Sequence, residues 1–469
     1  LGQWTLYDNT TGNYNVAVGR DALQNNTTAD YNTAVGYKAG YTGTTAYQNT
    51  FVGSLAGELI TAGNANVGFG MEALRRITTG QFNTSIGFQT LANNTTAVEN
   101  TAVGYQAAYS TTTGGQNTAI GRKAMYTNTT GDNNTSVGLN SLYYNTTGGD
   151  NAALGVNALQ ANTTGNYNTA VGRKALLSNT TASNNVAVGY RSMEDNTTGT
   201  SNTSVGYVAL PNNTTGTSNT SVGYITLGDN TTGNYNTAFG QQALTSNTTA
   251  SSNTAVGYQA GYTNITGTFN AFFGNQAGYY TTGTRNTFLG SDAGGLVTSG
   301  SNNIIIGRYN GNQHGLDIRT SSNNIVLSDG DGNPRFYIKS TGLPYSPASY
   351  STTTATAANM YIQSDGAFYR STSSRRYKNT IEDATYGLTE LLSLRPVTYK
   401  GNNDGDTVFG GLIAEEVHDA GLTEFVQYND DGEPDAIAYG QMVSLCIKAI
   451  QELSAQVETL KTKVATLEG

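Results

Sequence analysis

One short segment, Ser371-Thr372-Ser373-Ser374-Arg375-Arg376-Tyr377-Lys378, brings hydroxyls and cations together in a way that can do chemistry. A serine hydroxyl attacks a carbonyl at neutral pH only when a base stands beside it. Lysine serves as that base when burial or neighbouring cations lower its pKa. Arg375 and Arg376 lie close to Lys378 in sequence and push in that direction. The reaction open to such a set is an N–O acyl shift at the peptide bond preceding Ser373. It needs only local geometry, and packing that buries Lys378 would switch it on. On the hexapeptide SSRRYK alone, a basic exposed loop is the plainer reading. The weight therefore falls on the surrounding elements.

Downstream, FGGLIAEEVHDAGL (409–422) leads from an apolar stretch into an expected helix. The chain then runs through Val443, Cys446, Ile450, Leu453, Val457, Leu460, Val464 and Leu467, with steps alternating three and four. That spacing is a coiled-coil seam over residues 443–467. β-Branched residues at one seam position and Leu at the other favour a dimer in isolation; here a trimeric shaft upstream is expected to override that preference. On the upstream side, MYIQSDGAFYRS (360–371) reads as a hairpin with Asp365-Gly366 at its tip. Residues 343–359, rich in Ser, Thr and Ala, read as an extended connector. SSNNIVLSDGDGNPRFYIKSTG (321–342) reads as two strands about a Gly-rich turn. Asp329 and Asp331 are placed as at the start of a calcium loop, but the Gly spacing and distal Glu of such a loop are missing, so a plain turn is expected.

The first 310 residues are built from one repeated unit. Asn-x-x-apolar-Gly recurs with its Gly at 19, 36, 53, 70 and onward every 17 residues to Gly274, then at Gly290 and Gly307, giving eighteen copies. An Asn stands four residues before every one of these Gly, from Asn15 to Asn303, and an apolar residue immediately before it. Seventeen residues are too few for two helices, and the Gly, Asn and β-branched content opposes helix. Two short strands joined by two turns are expected per coil, with Thr and Val of NTAVG on one face and Ala on the other. Stacking in register would align the Asn side chains into hydrogen-bonded ladders. At about 4.8 Å per coil, eighteen coils would span roughly 86 Å. Each coil buries few apolar side chains, so stacking and packing against other chains must supply the remainder.

Composition narrows the functional classes. The 469 residues include 58 Gly and only 6 Pro, with 12% charged, 37% hydrophobic and a net charge of −9. The acidic excess lies mostly after residue 310 and no basic stripe exists, which argues against nucleic-acid binding. One cysteine, Cys446, excludes an intrachain disulfide framework and a multi-Cys zinc site. No apolar run is long enough for a membrane span. His314 and His418 are far apart and read as incidental. No metal or cofactor is expected. The chain opens at Leu1 rather than Met, which suggests a fragment or processed product and fits a missing N-terminal attachment region. The many Asn-x-Thr triplets are most simply a repeated turn rather than glycosylation acceptors. Tyrosines recur after the Gly (Tyr37, Tyr105, Tyr190) and before the Asn (Tyr14, Tyr31, Tyr167); packing between coils is the first reading and stacking on sugars the second. A glycan hydrolase usually needs two carboxylates. In the repeats only Glu194 and Asp195 are adjacent, and neighbours on a strand face opposite ways.

The NTAVG-type unit resembles the left-handed parallel β-roll of trimeric autotransporter adhesin heads and of many phage tail fibres, although the coil here is longer. STSSRRYKNTIEDA (371–384), followed by FGGLIAEEV and the terminal seam, resembles the endosialidase-type intramolecular chaperones found at the C-termini of phage tail spikes and fibres. That resemblance implies trimerisation, assistance to folding of the upstream β-structure, and self-release by a Ser–Lys dyad. The family pattern is approximately Ser-Asp-x-Arg-x-Lys. Ser373 matches its nucleophile, Lys378 its base and Arg376 its Arg, with Thr372–Ser373 as the scissile bond, while Ser374 stands where the pattern has Asp.

The resulting expectation is a mainly β protein. It has a repetitive parallel β-solenoid shaft (1–310), a hairpin-containing connector (311–370) and an α+β chaperone and autoprotease domain (371–469). Its expected role is a homotrimeric virion tail fibre, made in the host cytoplasm and extracellular when functional. Its expected partners are a host surface receptor (a glycan or outer-surface protein) and other virion tail proteins, with no membrane insertion. A bacterial trimeric surface adhesin is the alternative, although such a chain normally ends in a membrane-anchoring β-barrel; a glycan depolymerase comes third.

Overall fold

The computed structural model describes residues 1–346, 360–362, 368–370, 378–402, 405–429 and 431–468. The chain divides into two units, Leu1–Thr352 and Thr353–Gly469.

The first unit is a parallel β-solenoid of 17-residue coils. Eighteen three-residue strands, from Val16–Val18 to Ile304–Ile306, pair parallel and in register with their neighbours in sequence. A representative rung sets Thr101, Ala102 and Val103 opposite Thr118, Ala119 and Ile120. Side chains alternate across the pleat, so the central residue of each strand points inward and its neighbours outward. Ala102 and Ala119 are fully buried, while the residue before the Gly stays partly or largely exposed.

Each coil contains one strand, not the two expected. The rest of the coil closes through turns in which three residues, in most coils all non-glycine, are left-handed. In one coil these are Glu99 (φ 58°), Gln106 (φ 54°) and Ala108 (φ 49°). Such residues cost on the order of 1–3 kcal/mol each. They persist because the conformation sends backbone hydrogen bonds to the coils on both sides. Gly104 and Gln106 N–H donate to Ile86 and Phe88 carbonyls of the preceding coil (2.8 and 2.9 Å). Thr101 and Ala108 N–H donate to Asn117 and Ala124 carbonyls of the following one (2.8 and 2.9 Å). Stacking thus satisfies backbone groups that an isolated coil would leave open. The repeated Gly is obligatory. At Gly104, φ is +127° and a Cβ would stand 2.7 Å from the Gly121 carbonyl oxygen.

Two asparagine ladders run through the interior. In the first, the Asn100 backbone N–H and Nδ2 both donate to Asn83 Oδ1 (3.1 and 3.2 Å), and Nδ2 also donates to the Gly114 carbonyl (3.0 Å). In the second, Asn145 Nδ2 donates to Asn128 Oδ1 and to the Gly148 carbonyl, both at 2.8 Å. The core between them is thin, mainly Ala and Leu, and it compensates locally. Where the strand centre is Phe51, the position usually held by Leu is Gly57, whose Cβ would lie 2.6 Å from the ring. Where the centre is Ser136, Ser141 faces it at 2.5 Å, so two buried hydroxyls satisfy one another.

Near its C-terminal end the stack becomes irregular. The interval from Gly274 to Gly290 is one residue short. The hydrogen bonds of the second Asn ladder end with Asn247 on Asn230; Asn264 is the last Asn of that column, and a buried Thr281 takes the next place. A nineteenth rung, Ile325–Ser328, then pairs parallel with Ile304–Ile306. Asn324 continues the first ladder by donating to Asn303 Oδ1 at 2.9 Å. Pro334–Ile338 pairs antiparallel on the outer edge of that rung, forming the expected hairpin. Asp329 caps its turn. Hydrogen bonds from Asn333, and then the Arg335 guanidinium, hold its carboxyl well below the usual carboxylate range.

The second unit is small. Met360–Ile362 and Phe368–Arg370 pair antiparallel as expected, and the Asp365-Gly366 tip lies outside the described residues. Three helices follow among the described residues: α1 (Leu388–Ser393), α2 (Ala414–Asp419) and α3 (Tyr439–Glu468). They are interspersed with two hairpins, Val397–Lys400 with Val408–Gly411 and Val426–Tyr428 with Pro434–Ile437.

Candidate functional site

The candidate chemistry lies at the entry to this second unit. Lys378 is exposed at the start of a described segment. Thr372, Ser373, Ser374, Arg375, Arg376 and Tyr377 lie outside the described residues, and of the predicted dyad only Lys378 is described.

What the structure does show is the anchor immediately downstream. Tyr386 packs edge-on against Phe425 (ring centroids 4.9 Å apart), and its hydroxyl meets Ser444 Oγ of α3 at 2.8 Å. The start of α1 is pinned from two sides. Glu390 accepts the Gly387 N–H at 2.6 Å, and Glu452 of α3 accepts the Leu388 N–H at 2.8 Å. Carboxylates at a helix start satisfy N–H groups that have no partner within the helix. Nearby, Tyr439 Oη accepts the Leu412 N–H at 2.7 Å, joining α3 to the strand that precedes α2. The buried core comprises Val417, Leu422, Phe425, Val426, Met442 and Leu445. Arg395 hydrogen-bonds Glu416 (Nε to Oε2, 3.1 Å), which draws the Glu416 carboxyl below its ordinary range.

α3 carries two different apolar stripes. Met442, Leu445 and Ala449 face the core, and Glu452, which clamps α1, continues that row. The predicted seam lies on another face: Val443, Ile450, Leu453, Val457, Leu460, Val464 and Leu467 are 41–86% exposed, and Cys446 is exposed as well. From Leu453 to Glu468 every residue is exposed. The inward row with its 3-4-3 spacing was a sequence signal for Glu452 that seam-counting alone overlooks.

The remaining candidates are accounted for by local contacts. His418 Nδ1 lies 2.8 Å from Tyr428 Oη. Glu194, of the adjacent carboxylate pair, is nearly buried and ion-paired with Lys174 and Arg191. The repeated tyrosines stack along columns, as in Tyr109–Tyr126–Tyr143 at 5.2 and 5.1 Å.

These features define a solenoid shaft joined to a compact unit that ends in an unpaired amphipathic helix. Residues 373–427 match the family model described as the chaperone of endosialidase. No curated protein and no solved structure matches the chain. The chain thus couples a β-solenoid of 17-residue coils to a segment similar to the chaperone of endosialidase.

Proposed function

We propose that the chain is the distal part of a homotrimeric virion fibre whose C-terminal unit assembles the trimer and then cuts itself from the shaft. The observation that carries this reading is the family match beginning at Ser373, the residue that becomes a new N-terminus if Thr372–Ser373 is cleaved. In the reaction, Ser373 Oγ attacks the Thr372 carbonyl carbon as the Lys378 amine takes the hydroxyl proton. The C–N bond breaks, the lysine ammonium protonates the departing Ser373 amine, and an ester remains. Water then hydrolyses the ester to the Thr372 carboxylate and the free Ser373 hydroxyl. Lys378 is exposed in the described structure. Burial on assembly would disfavour the charged form of a lysine and so favour its service as a base.

Two apolar surfaces support assembly with further copies. An isolated helix end as long as Leu453–Glu468 is marginal in water, and its only apolar stripe is the seam. On the solenoid, the residue before each of the eighteen Gly forms an outward apolar column, including Phe69, Ile86, Leu154, Phe239 and Ile306 at 40–56% exposure, and Leu327 continues it in the nineteenth rung. Monomers rarely expose a continuous apolar strip of that extent. Binding to a host surface receptor and attachment to other tail proteins complete the proposed role.

The test is expression of wild type, Ser373→Ala and Lys378→Ala. Wild type should run as two fragments on a denaturing gel and each variant as one full-length band, all with three-chain mass under native conditions. An uncut wild type, or a single-chain mass, refutes the proposal.

A further inference from the structure

Toward the C-terminal end of the solenoid two side-chain columns stop at the same rung. Five residues after the repeated Gly, Tyr262 and Tyr279 stack at 5.0 Å with an 11° interplanar angle, but the next rung places Gly295 there. Two residues after the Gly, Gln242, Gln259 and Gln276 form a chain of amides, each Nε2 donating to the preceding Oε1 at 3.0 Å. The next rung places Asp292 there, and an ionised carboxylate has no proton to continue that chain. The two interruptions open a cleft of about 290 Å³ beside Tyr279. Tyr280 stands edge-on to Tyr279 at 4.6 Å and 75°, 48% exposed, and Leu296 follows it in the next rung. Asp292 and Asn310 contribute polar groups to the lining, and Arg308 Nε lies 3.4 Å from Asp292 Oδ2.

The shape is specific. One rung pitch, about 4.8 Å, is the thickness that a tyrosine ring fills elsewhere in this column. A flat ring therefore fits where Gly295 leaves the stack open. A ligand with an apolar ring face and hydroxyls around its edge suits an aromatic surface bordered by a carboxylate and amides. An aromatic side chain would cover Tyr279 but bring few or no donors to Asp292. A carboxylated sugar would set like charges together.

We propose that this slot binds a neutral pyranose, its C–H face on Tyr279 and its hydroxyls donating to Asp292 and to the Gln276 carbonyl oxygen. The inference deepens the receptor-binding part of the fibre reading and rests on it for the origin of the sugar. The slot itself is tested without cells or cleavage.

The experiment is saturation-transfer NMR on the intact protein with methyl β-D-galactopyranoside, methyl α-D-glucopyranoside and methyl N-acetyl-β-D-glucosaminide, and with N-acetyl-tryptophanamide as an aromatic probe lacking hydroxyls. At least one glycoside should show saturation concentrated on the C–H protons of one ring face. Gly295→Tyr would extend the tyrosine column into the slot. Position 295 carries no positive φ, and a Cβ there would lie 3.1 Å from the Asp292 carbonyl oxygen, which requires only a small shift. This variant should weaken the signal roughly tenfold or more, a loss of at least 1.4 kcal/mol. Tyr279→Ala removes the stacking face and should do the same, which keeps the test decisive if the first variant folds poorly. The proposal is overturned if no glycoside is saturated, if both folded variants bind as wild type does, or if the tryptophan probe is preferred. None of those results alters the two-band cleavage assay, so the fibre reading stands or falls separately.

Discussion

The solenoid and the C-terminal unit solve the problem of stability in opposite ways. In the solenoid each polar column is largely satisfied within one chain, because what a coil lacks its identical neighbour supplies. Asn100 finds Asn83, and Ala108 N–H finds the Ala124 carbonyl. In the C-terminal unit a handful of residues around Phe425 and Leu445 form the core, and each contact, such as Glu452 on Leu388, occurs once among the described residues. The long end of α3 has no intrachain cover there. A repeating element spreads its stability over many equivalent contacts; the unique element concentrates it and leaves its largest apolar stripe exposed, where the proposed assembly would cover it. Assembly should therefore depend on α3 far more steeply than on any one coil.

The largest expected effect tests that asymmetry. Leu453→Asp with Leu460→Asp places charges in the seam without touching Met442, Leu445 or Ala449. Sedimentation should show collapse of the assembled species to single chains, with far-UV dichroism losing helix signal. Full retention of assembly would place the contacts between chains elsewhere. A single coil should be a smaller lever. Gly104→Ala combines an unfavourable φ with a Cβ at 2.7 Å from a carbonyl oxygen and is expected to cost about 3 kcal/mol. The loss should appear as a lower denaturation midpoint of the shaft and faster hydrogen exchange in adjoining coils. Unchanged exchange would mean that the coils respace freely. The smallest effect concerns the Ser136–Ser141 pair. Either Ser→Ala change alone should cost about 1 kcal/mol, since one hydroxyl keeps only its backbone partner. The double change reproduces the coil with Ala153 and Ala158 and should recover most of that loss. A double variant as unstable as the sum of the singles would show that the coils are not interchangeable.

The parts of the fold that follow directly from stacking were legible in the residues. Gly at a fixed interval, Asn four places earlier and an inward Ala between outward Thr and Val each reflect a constraint imposed by the neighbouring coil. The second half of the coil was not legible. Its left-handed positions hold Lys, Gln, Leu and Met as readily as Asn, for instance Lys38, Gln106 and Leu142, so residue type gives no hint of the conformation. Stacked hydrogen bonds override local preference there. The nineteenth rung was masked by the insertion that forms Asn312–Gln313 and Leu316–Asp317, although Asn323-Asn324-Ile325 repeats Asn302-Asn303-Ile304. For the proposed dyad, residue types and order named the chemistry. Its geometry falls on residues of which only Lys378 is among those described. The sugar slot was illegible for a different reason: its signal is an interruption, a Gly and an Asp where columns of Tyr and Gln should continue.

The short interval between Gly274 and Gly290 has a consequence for how such a shaft changes length. Whole units can be duplicated or lost by slippage in the coding sequence, since any coil docks on any other. A slip of one residue is taken up inside a turn: Asn286 stands sixteen residues after Asn270 and still donates its backbone N–H to Asn270 Oδ1 at 2.9 Å, so the first column stays in phase. Here the single omission falls between Thr281 and Gly283, one coil beyond the last Asn of the second column. The shaft behaves as a ruler with marks seventeen residues apart, and its uneven marks lie beyond the last Asn of the second column.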